Sequence, residues 1–207
     1  MKRQHFYIVL ILFVSITVTV AIGTDSFNLT NETGAKTAST SSSATVEIGG
    51  PFTLVDHNGK TVTDADFEGR YKLIFFGYTS CPDVCPTALG GVSEMLDIIG
   101  KKSEQIVPLF ISVDTKRDTV DVLQEYVTNF HPQIVGLTGS VEQITAVTKA
   151  YRSYFTINDD GDSNGDYYSV SHSSYLYLMG PDGKFITAYG HNRPPEDMAK
   201  SISEVLS

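Results

Sequence analysis

Tyr71-Lys72-Leu73-Ile74-Phe75-Phe76-Gly77 is a near-continuous apolar run, the pattern of a central strand covered on both faces. It leads directly into Cys81-Pro82-Asp83-Val84-Cys85-Pro86. Beyond Pro86, apolar residues at Leu89, Val92, Met95, Leu96 and Ile99 recur at helical spacing until Gly100. Ile106–Val113 predicts a second strand, with Pro108 near its start. Val120, Leu123, Tyr126, Val127 and Phe130 predict a helix stopped by His131-Pro132. A short strand at Val135–Thr138 and a helix carrying Val141, Ile144, Val147 and Tyr151 follow. Tyr167–Met179 reads as one strand, turned by Gly180-Pro181-Asp182-Gly183 into a partner at Lys184–Tyr189. Pro194-Pro195 opens a closing helix through Met198, Ile202, Val205 and Leu206.

Ahead of these elements, Phe52–Val55 and Lys60–Val62 flank Asp56-His57-Asn58-Gly59, a hairpin signal that puts His57 in an exposed turn. Strands alternating with helices and closing on a hairpin predict an α/β, thioredoxin-like fold: a central mixed sheet with helices on both faces. The cysteines then fall at the carboxyl end of a central strand, where such sheets place their chemistry.

The ends of the pattern differ from its middle. Residues 6–22 carry no charge and follow Lys2 and Arg3, so residues 1–23 read as a signal anchor or signal peptide, with the anchor favoured. The basic flank orients the rest of the chain across the membrane, and no cysteine follows to carry a lipid. Residues 24–49 are a Ser/Thr-rich linker, and residues 50–207 the folded domain. The segment lacks the Arg-rich look of an organellar presequence, which points to a bacterial inner membrane rather than a mitochondrial one, with the domain in the periplasm or otherwise outside the cytoplasm. The acidic run Asn158–Asp166 lacks the glutamate and flanking helices of an EF-hand and reads as a solvated loop.

Composition narrows the function. The net charge is −9, and without residues 1–23 there are 13 basic against 24 acidic residues, which argues against nucleic acid as a partner. Two cysteines in 207 residues make no disulfide scaffold, so a redox pair or a metal site is favoured over an architectural bridge. Because proline is cheap in the first helical turn, Pro86 is expected to begin the helix, with Cys85 at the N-cap and its thiolate favoured by the helix N-terminus. Two thiolates suit copper(I), and a third soft or borderline ligand admits copper(II), whereas structural zinc wants four. Among His5, His57, His131, His172 and His191, His172 stands out, since Val170–Ser174 opens the strand expected to face the cysteine loop.

Several separated motifs carry a resemblance. Phe76–Thr87, Phe110-Ile111-Ser112-Val113-Asp114, Arg117-Asp118-Thr119, Gly136-Leu137-Thr138-Gly139 and His172-Ser173, with Tyr177-Leu178 and Gly180–Gly183, resemble the Sco/SenC family over residues 50–206. That resemblance implies a membrane-anchored copper metallochaperone holding copper through Cys81, Cys85 and His172, and delivering it to subunit II of cytochrome c oxidase. It also implies acidic positions near the site at Asp83 and Asp114, for which a turn role is the alternative. Ser80, Thr115 and Ser171 depart from the family, which often has histidine, proline and aspartate there. The last departure bears on how His172 is oriented. Two further readings stay open: a thiol-disulfide reductase using Cys81 and Cys85 as catalytic residues, and, more distantly, a peroxidase of the peroxiredoxin type.

Overall fold

The computed structural model describes residues 47–158 and 168–206. The apolar segment, most of the Ser/Thr-rich linker and nearly all of the acidic run lie outside the described residues. Among the described residues no helix is long and apolar enough to cross a membrane.

Strands β1 (Thr53–Asp56) and β2 (Thr61–Thr63) form the expected hairpin. Then come β3 (Tyr71–Gly77), helix α1 (Val84–Ile99), β4 (Ile106–Ser112), α2 (Val120–Val127), β5 (Val135–Thr138) and α3 (Val141–Ala150). The chain closes with β6 (Phe155–Asn158), β7 (Ser169–His172), β8 (Tyr175–Met179), β9 (Phe185–Gly190) and α4 (Pro195–Ser203). One sheet has the order β2-β1-β5-β4-β3-β8-β9, in which β3, β4 and β5 run parallel and β8 returns antiparallel beside β3. This is the thioredoxin-like arrangement expected from the sequence.

All seven residues of β3 are buried, which explains why its pattern is continuous rather than alternating. Phe75 stacks on Phe110 of β4, which in turn meets Tyr126 of α2. Phe76 points the other way, onto Tyr151 at the C-terminal end of α3 and Tyr177 of β8. Helical elements therefore cover both faces, and each such side chain contributes about 1.5–3 kcal/mol by leaving water. Local signals set the helix ends. Ser140 and Gln143 form a capping box on α3, Thr119 caps α2, and Gly100, at φ 63°, ends α1 in the left-handed region that glycine tolerates.

Pro108 lies near the start of β4, as expected, and pairing with β5 begins only after it, at Leu109 opposite Val135. Three expectations need correction. Helix α2 ends at Val127, three residues before Phe130. The single strand expected over Tyr167–Met179 is two strands: β7 leaves the main sheet at Ser173-Ser174 and pairs antiparallel with β6, forming a separate two-stranded ribbon. His57 is only partly exposed, and its Nδ1 accepts the Gly136 N–H at 3.1 Å, so it ties the first hairpin to β5.

Lys72 is the exception within β3, at 3% exposure. Burial pulls its ammonium below the ordinary lysine range, against the raising influence of Asp64, Glu68 and Asp182. Between the lowered and the ordinary value the unfolded chain binds more protons, so this group adds stability as pH rises through that window. Its acidic neighbours retain solvent contact, so removing the charge strands no buried carboxylate. Lys72→Met is expected to leave stability at neutral pH unchanged or raised in chemical denaturation; a loss above about 1 kcal/mol contradicts this account.

Candidate metal centre

Strand β3 delivers the chain to the site and stops at a residue with no side chain. A Cβ at Gly77 would stand 2.7 Å from the Phe110 ring and 2.8 Å from Cys85 Sγ, closer than atoms pack. The chain then turns, with the Cys81 N–H donating to the Tyr78 carbonyl at 3.3 Å. Helix α1 starts at Val84 with Asp83 as its N-cap, so Pro86 is its third residue rather than its first. The first turn has no intrahelical acceptors for its N–H groups, and proline there sacrifices no bond. Cys85 is thus the second helical residue, with its side chain turned into the core at 0% exposure.

From the other side, β7 alternates about the ribbon: Val170 is buried, Ser171 faces out, and His172 turns back toward the cysteines. The sulfur atoms of Cys81 and Cys85 and a ring nitrogen of His172, each able to bind a metal, all lie within 4.8 Å of one another. His172 Nε2 is 3.5 Å from Cys85 Sγ, and Nδ1 lies 3.0 Å from the Ser173 carbonyl. A carbonyl only accepts, so Nδ1 carries the proton and, in the neutral ring, Nε2 presents a lone pair to the sulfur. The ring is held edge-on by Phe75 and Tyr78, with centroids at 5.9 and 5.8 Å. Orientation of this histidine therefore does not depend on residue 171, where Ser171 instead accepts from Asn158 Nδ2 at 3.0 Å. An open concavity of about 260 Å³, lined by Cys81, Pro82, Val84 and His172, gives access from solvent.

The two thiols have opposite electrostatics. Burial raises the Cys81 thiol, but the N–H groups of Asp83 and Cys85 and the Tyr78 hydroxyl outweigh it, and the net shift is downward. The Cys85 N–H to Cys81 Sγ distance is 3.4 Å. Cys85 moves strongly upward because it is buried, with the neighbouring Cys81 adding to the shift. The expectation that the helix end favours thiolate at Cys85 is therefore reversed. The dipole and the free N–H groups act on the sulfur lying outside the first turn, which is Cys81. Burial lowers His172, which keeps its imidazole neutral to lower pH than an ordinary histidine.

Behind this trio lies a polar support that sequence reasoning saw only in part. Asp118 accepts from Thr79 N–H at 2.9 Å, Thr79 Oγ1 at 2.6 Å and Ser112 Oγ, and so holds the loop before Cys81. Asp114, flagged in the sequence, is fully buried and bonds Arg117 and Tyr168; Arg117, Tyr168 and Tyr78 were assigned no part. The signal for Tyr78 and Arg117 was their place inside the motifs Phe76–Thr87 and Arg117-Asp118-Thr119; Tyr168 lies in none of the motifs. Asp83 acts as the N-cap and accepts weakly from Thr87 Oγ1 at 3.4 Å, which favours its turn role. Thr115 lies in the turn after β4, and Ser80 is exposed beside the loop. His131 faces Asp97 at 3.7 Å and belongs to a different surface. His191 adds its charge to the lowering of His172 without joining the ligand cluster.

The family model described as SCO1/SenC matches residues 40–207. The chain belongs to the SCO1/SenC family. Protein sco1 of Schizosaccharomyces pombe is 45% identical over 157 residues, covering 75% of this chain and 60% of that protein, so the chain spans a little under two thirds of its length. Protein SenC of Rhodobacter capsulatus is 42% identical over 160 residues, covering 77% of this chain and 71% of the relative. Relatives of similar identity include mitochondrial as well as bacterial proteins. The crystal structure of Arabidopsis thaliana ScoI with copper bound superposes with a TM-score of 0.69 at 40% identity, covering 76% of this chain and 96% of that one.

In this SCO1/SenC domain the accessible sulfur is also the more acidic one. Iodoacetamide near neutral pH is expected to modify Cys81 at least about tenfold faster than Cys85, read by peptide mass spectrometry. Comparable rates at the two sites contradict the assigned electrostatics.

Proposed function

We propose that this domain is a copper metallochaperone that binds copper through Cys81 Sγ, Cys85 Sγ and His172 Nε2 and passes it to the copper centre of cytochrome c oxidase, with subunit II as recipient. The observation that carries the reading is the convergence of these three atoms within 4.8 Å, brought in by two separate elements of chain. Two sulfurs and an imidazole are a donor set for copper, and among the described residues no fourth candidate ligand joins the group to close a structural zinc tetrahedron. The copper-bound Arabidopsis relative supports the same reading. An accessible Cys81 and a half-buried His172 leave a side on which a recipient's ligands can replace them in turn, while Cys85 holds last. The apolar residues 6–22 would anchor the chain, with the domain outside the cytoplasm.

A specific observation favours a second activity at the same site. A half-exposed, acidified Cys81 beside a buried, protonated Cys85 is the division between attacking and resolving thiols. Cys81 thiolate would attack a disulfide sulfur of the target, releasing one target thiolate. Cys85 would then give up its proton and attack Cys81 Sγ, forming the Cys81–Cys85 disulfide and freeing the second target thiolate. Both cysteines are free thiols here, the form this reaction requires.

Copper loading tests the first reading. Because Cys85 is protonated at neutral pH, binding must expel about one proton from it, plus the remaining protonated fraction of Cys81. Copper(I) affinity, measured against a competing chelator under reducing conditions, is expected to rise with pH across the neutral range. His172→Ala is expected to weaken it at least about tenfold, since even an outer partner of a ligand is worth that much. An unchanged affinity in that variant removes His172 from the ligand set.

A further inference from the structure

The strand that carries His172 has little backbone reason to stay where it is. Strands β6 and β7 hydrogen-bond only to each other in their sheet, apart from the seven strands of the main one. A lone two-stranded ribbon is marginally stable in water, so its seating depends on side chains. Val170 and the edge contacts of His172 supply part of this seating.

The rest converges on Arg117, in the turn that follows β4. Its Nε donates to Asp114 Oδ2 at 2.5 Å, and its Nη1 donates to the Tyr168 carbonyl at 3.1 Å, at the residue immediately before β7. The guanidinium carbon of Arg117 lies over the Tyr168 ring, 3.8 Å from its centroid. The Tyr168 hydroxyl donates to the other oxygen of Asp114, which closes a ring of three side chains. Arg117 also lies 5.8 Å from the centroid of Tyr78, the ring that meets His172 edge-on. Nη2 is buried and has no hydrogen-bond partner among the described residues, where the guanidinium engages this fork and the two rings. A lysine could keep the charge but not the fork or the planar stack.

We propose that Arg117 is a positioning residue, which with Asp114 and Tyr168 latches the start of β7 to the end of β4 and so fixes the approach of His172 Nε2 to the two cysteine sulfurs. The inference rests on the reading of His172 as a copper ligand. Loosening the latch lowers the fraction of chains with β7 seated, and apparent affinity falls in proportion to that fraction. The contribution runs chiefly through His172, because Cys81 lies before α1 and Cys85 in its first turn, and the hydrogen bonds of the Arg117 side chain go to Asp114 and Tyr168 rather than to either cysteine.

The test is a double-mutant cycle in the full chain, with copper(I) affinity measured for Arg117→Lys and Tyr168→Phe, each with His172 present and with His172→Ala. With His172 present, Arg117→Lys is expected to weaken binding by about tenfold and Tyr168→Phe by several-fold, corresponding to seated fractions of roughly a tenth and a third. In the His172→Ala background neither substitution is expected to change affinity. In the metal-free chain, nitrogen NMR of His172 is expected to move from the Nδ1–H tautomer toward an average of the two tautomers in both variants. Equal losses in both backgrounds, or a lysine variant that behaves as wild type, overturn the latch. If His172→Ala by itself leaves affinity unchanged, the ligand reading has failed, and that single variant identifies the failure separately. Tyr168→Phe keeps the ring and the Asp114–Arg117 pair, so the cycle remains readable if Arg117→Lys folds poorly.

Discussion

The close approach of Cys85 Sγ to the backbone of Gly77 is the constraint from which the site follows. Strand β3 is buried along its whole length, and α1 must pack directly after it, so the first turn of the helix has to enter the core. Space for the sulfur exists only because residue 77 lacks a Cβ. With Cys85 seated there, the three-residue spacer leaves Cys81 outside the helix, within reach of the free N–H groups of its first turn. One sulfur is thereby desolvated and the other stabilised as thiolate. The same seating points Cys85 Sγ at the place where β7 presents His172.

Much of this was legible in the sequence, for physical reasons that differ by element. Strand β3 declared itself through an unbroken apolar run because both of its faces are covered. The helix stop at Gly100 and the proline-led start at Pro194-Pro195 are local chemistry and can be read without the rest of the chain. The cysteine loop was visible as a loop at a strand-to-helix junction, and the motifs shared with SCO1/SenC proteins pointed to His172. The ribbon was not visible. Tyr167–Met179 alternates well enough for one long strand, and only a partner 11 or more residues upstream, Phe155–Asn158, draws its first half away. That choice of partner is tertiary and leaves no periodic trace.

The thiol asymmetry was misread for a related reason. A helix N-terminus lowers the pKa of a cysteine that lies over its N–H groups with some access to water, and which sulfur lies there depends on where the helix starts. The N-cap at Asp83 decides it, because it puts Cys85 inside the first turn and Cys81 before it. Arg117 stood inside a motif, but nothing local said what it touches, since a charged residue after a strand is ordinarily solvated. Only the fold brings Tyr168 back across 51 residues to meet it.

Copper carriage and thiol exchange, on the reading proposed, draw on the same two sulfurs and the same Cys85 proton. Both require Cys85 to lose a proton that burial makes it reluctant to release: to a metal in one case, to disulfide formation in the other. A bound copper ion uses both sulfurs as ligands, while a disulfide consumes them as a bond, so the two states exclude each other. What would distinguish them is His172, a metal ligand on that reading, which takes no part in the bond between the sulfurs. Seating of β7 would then bias the domain toward its metal-bound state without altering either cysteine. Such a bias needs a strand held by separable side-chain contacts rather than by a continuous ladder, and β7 is held in that way.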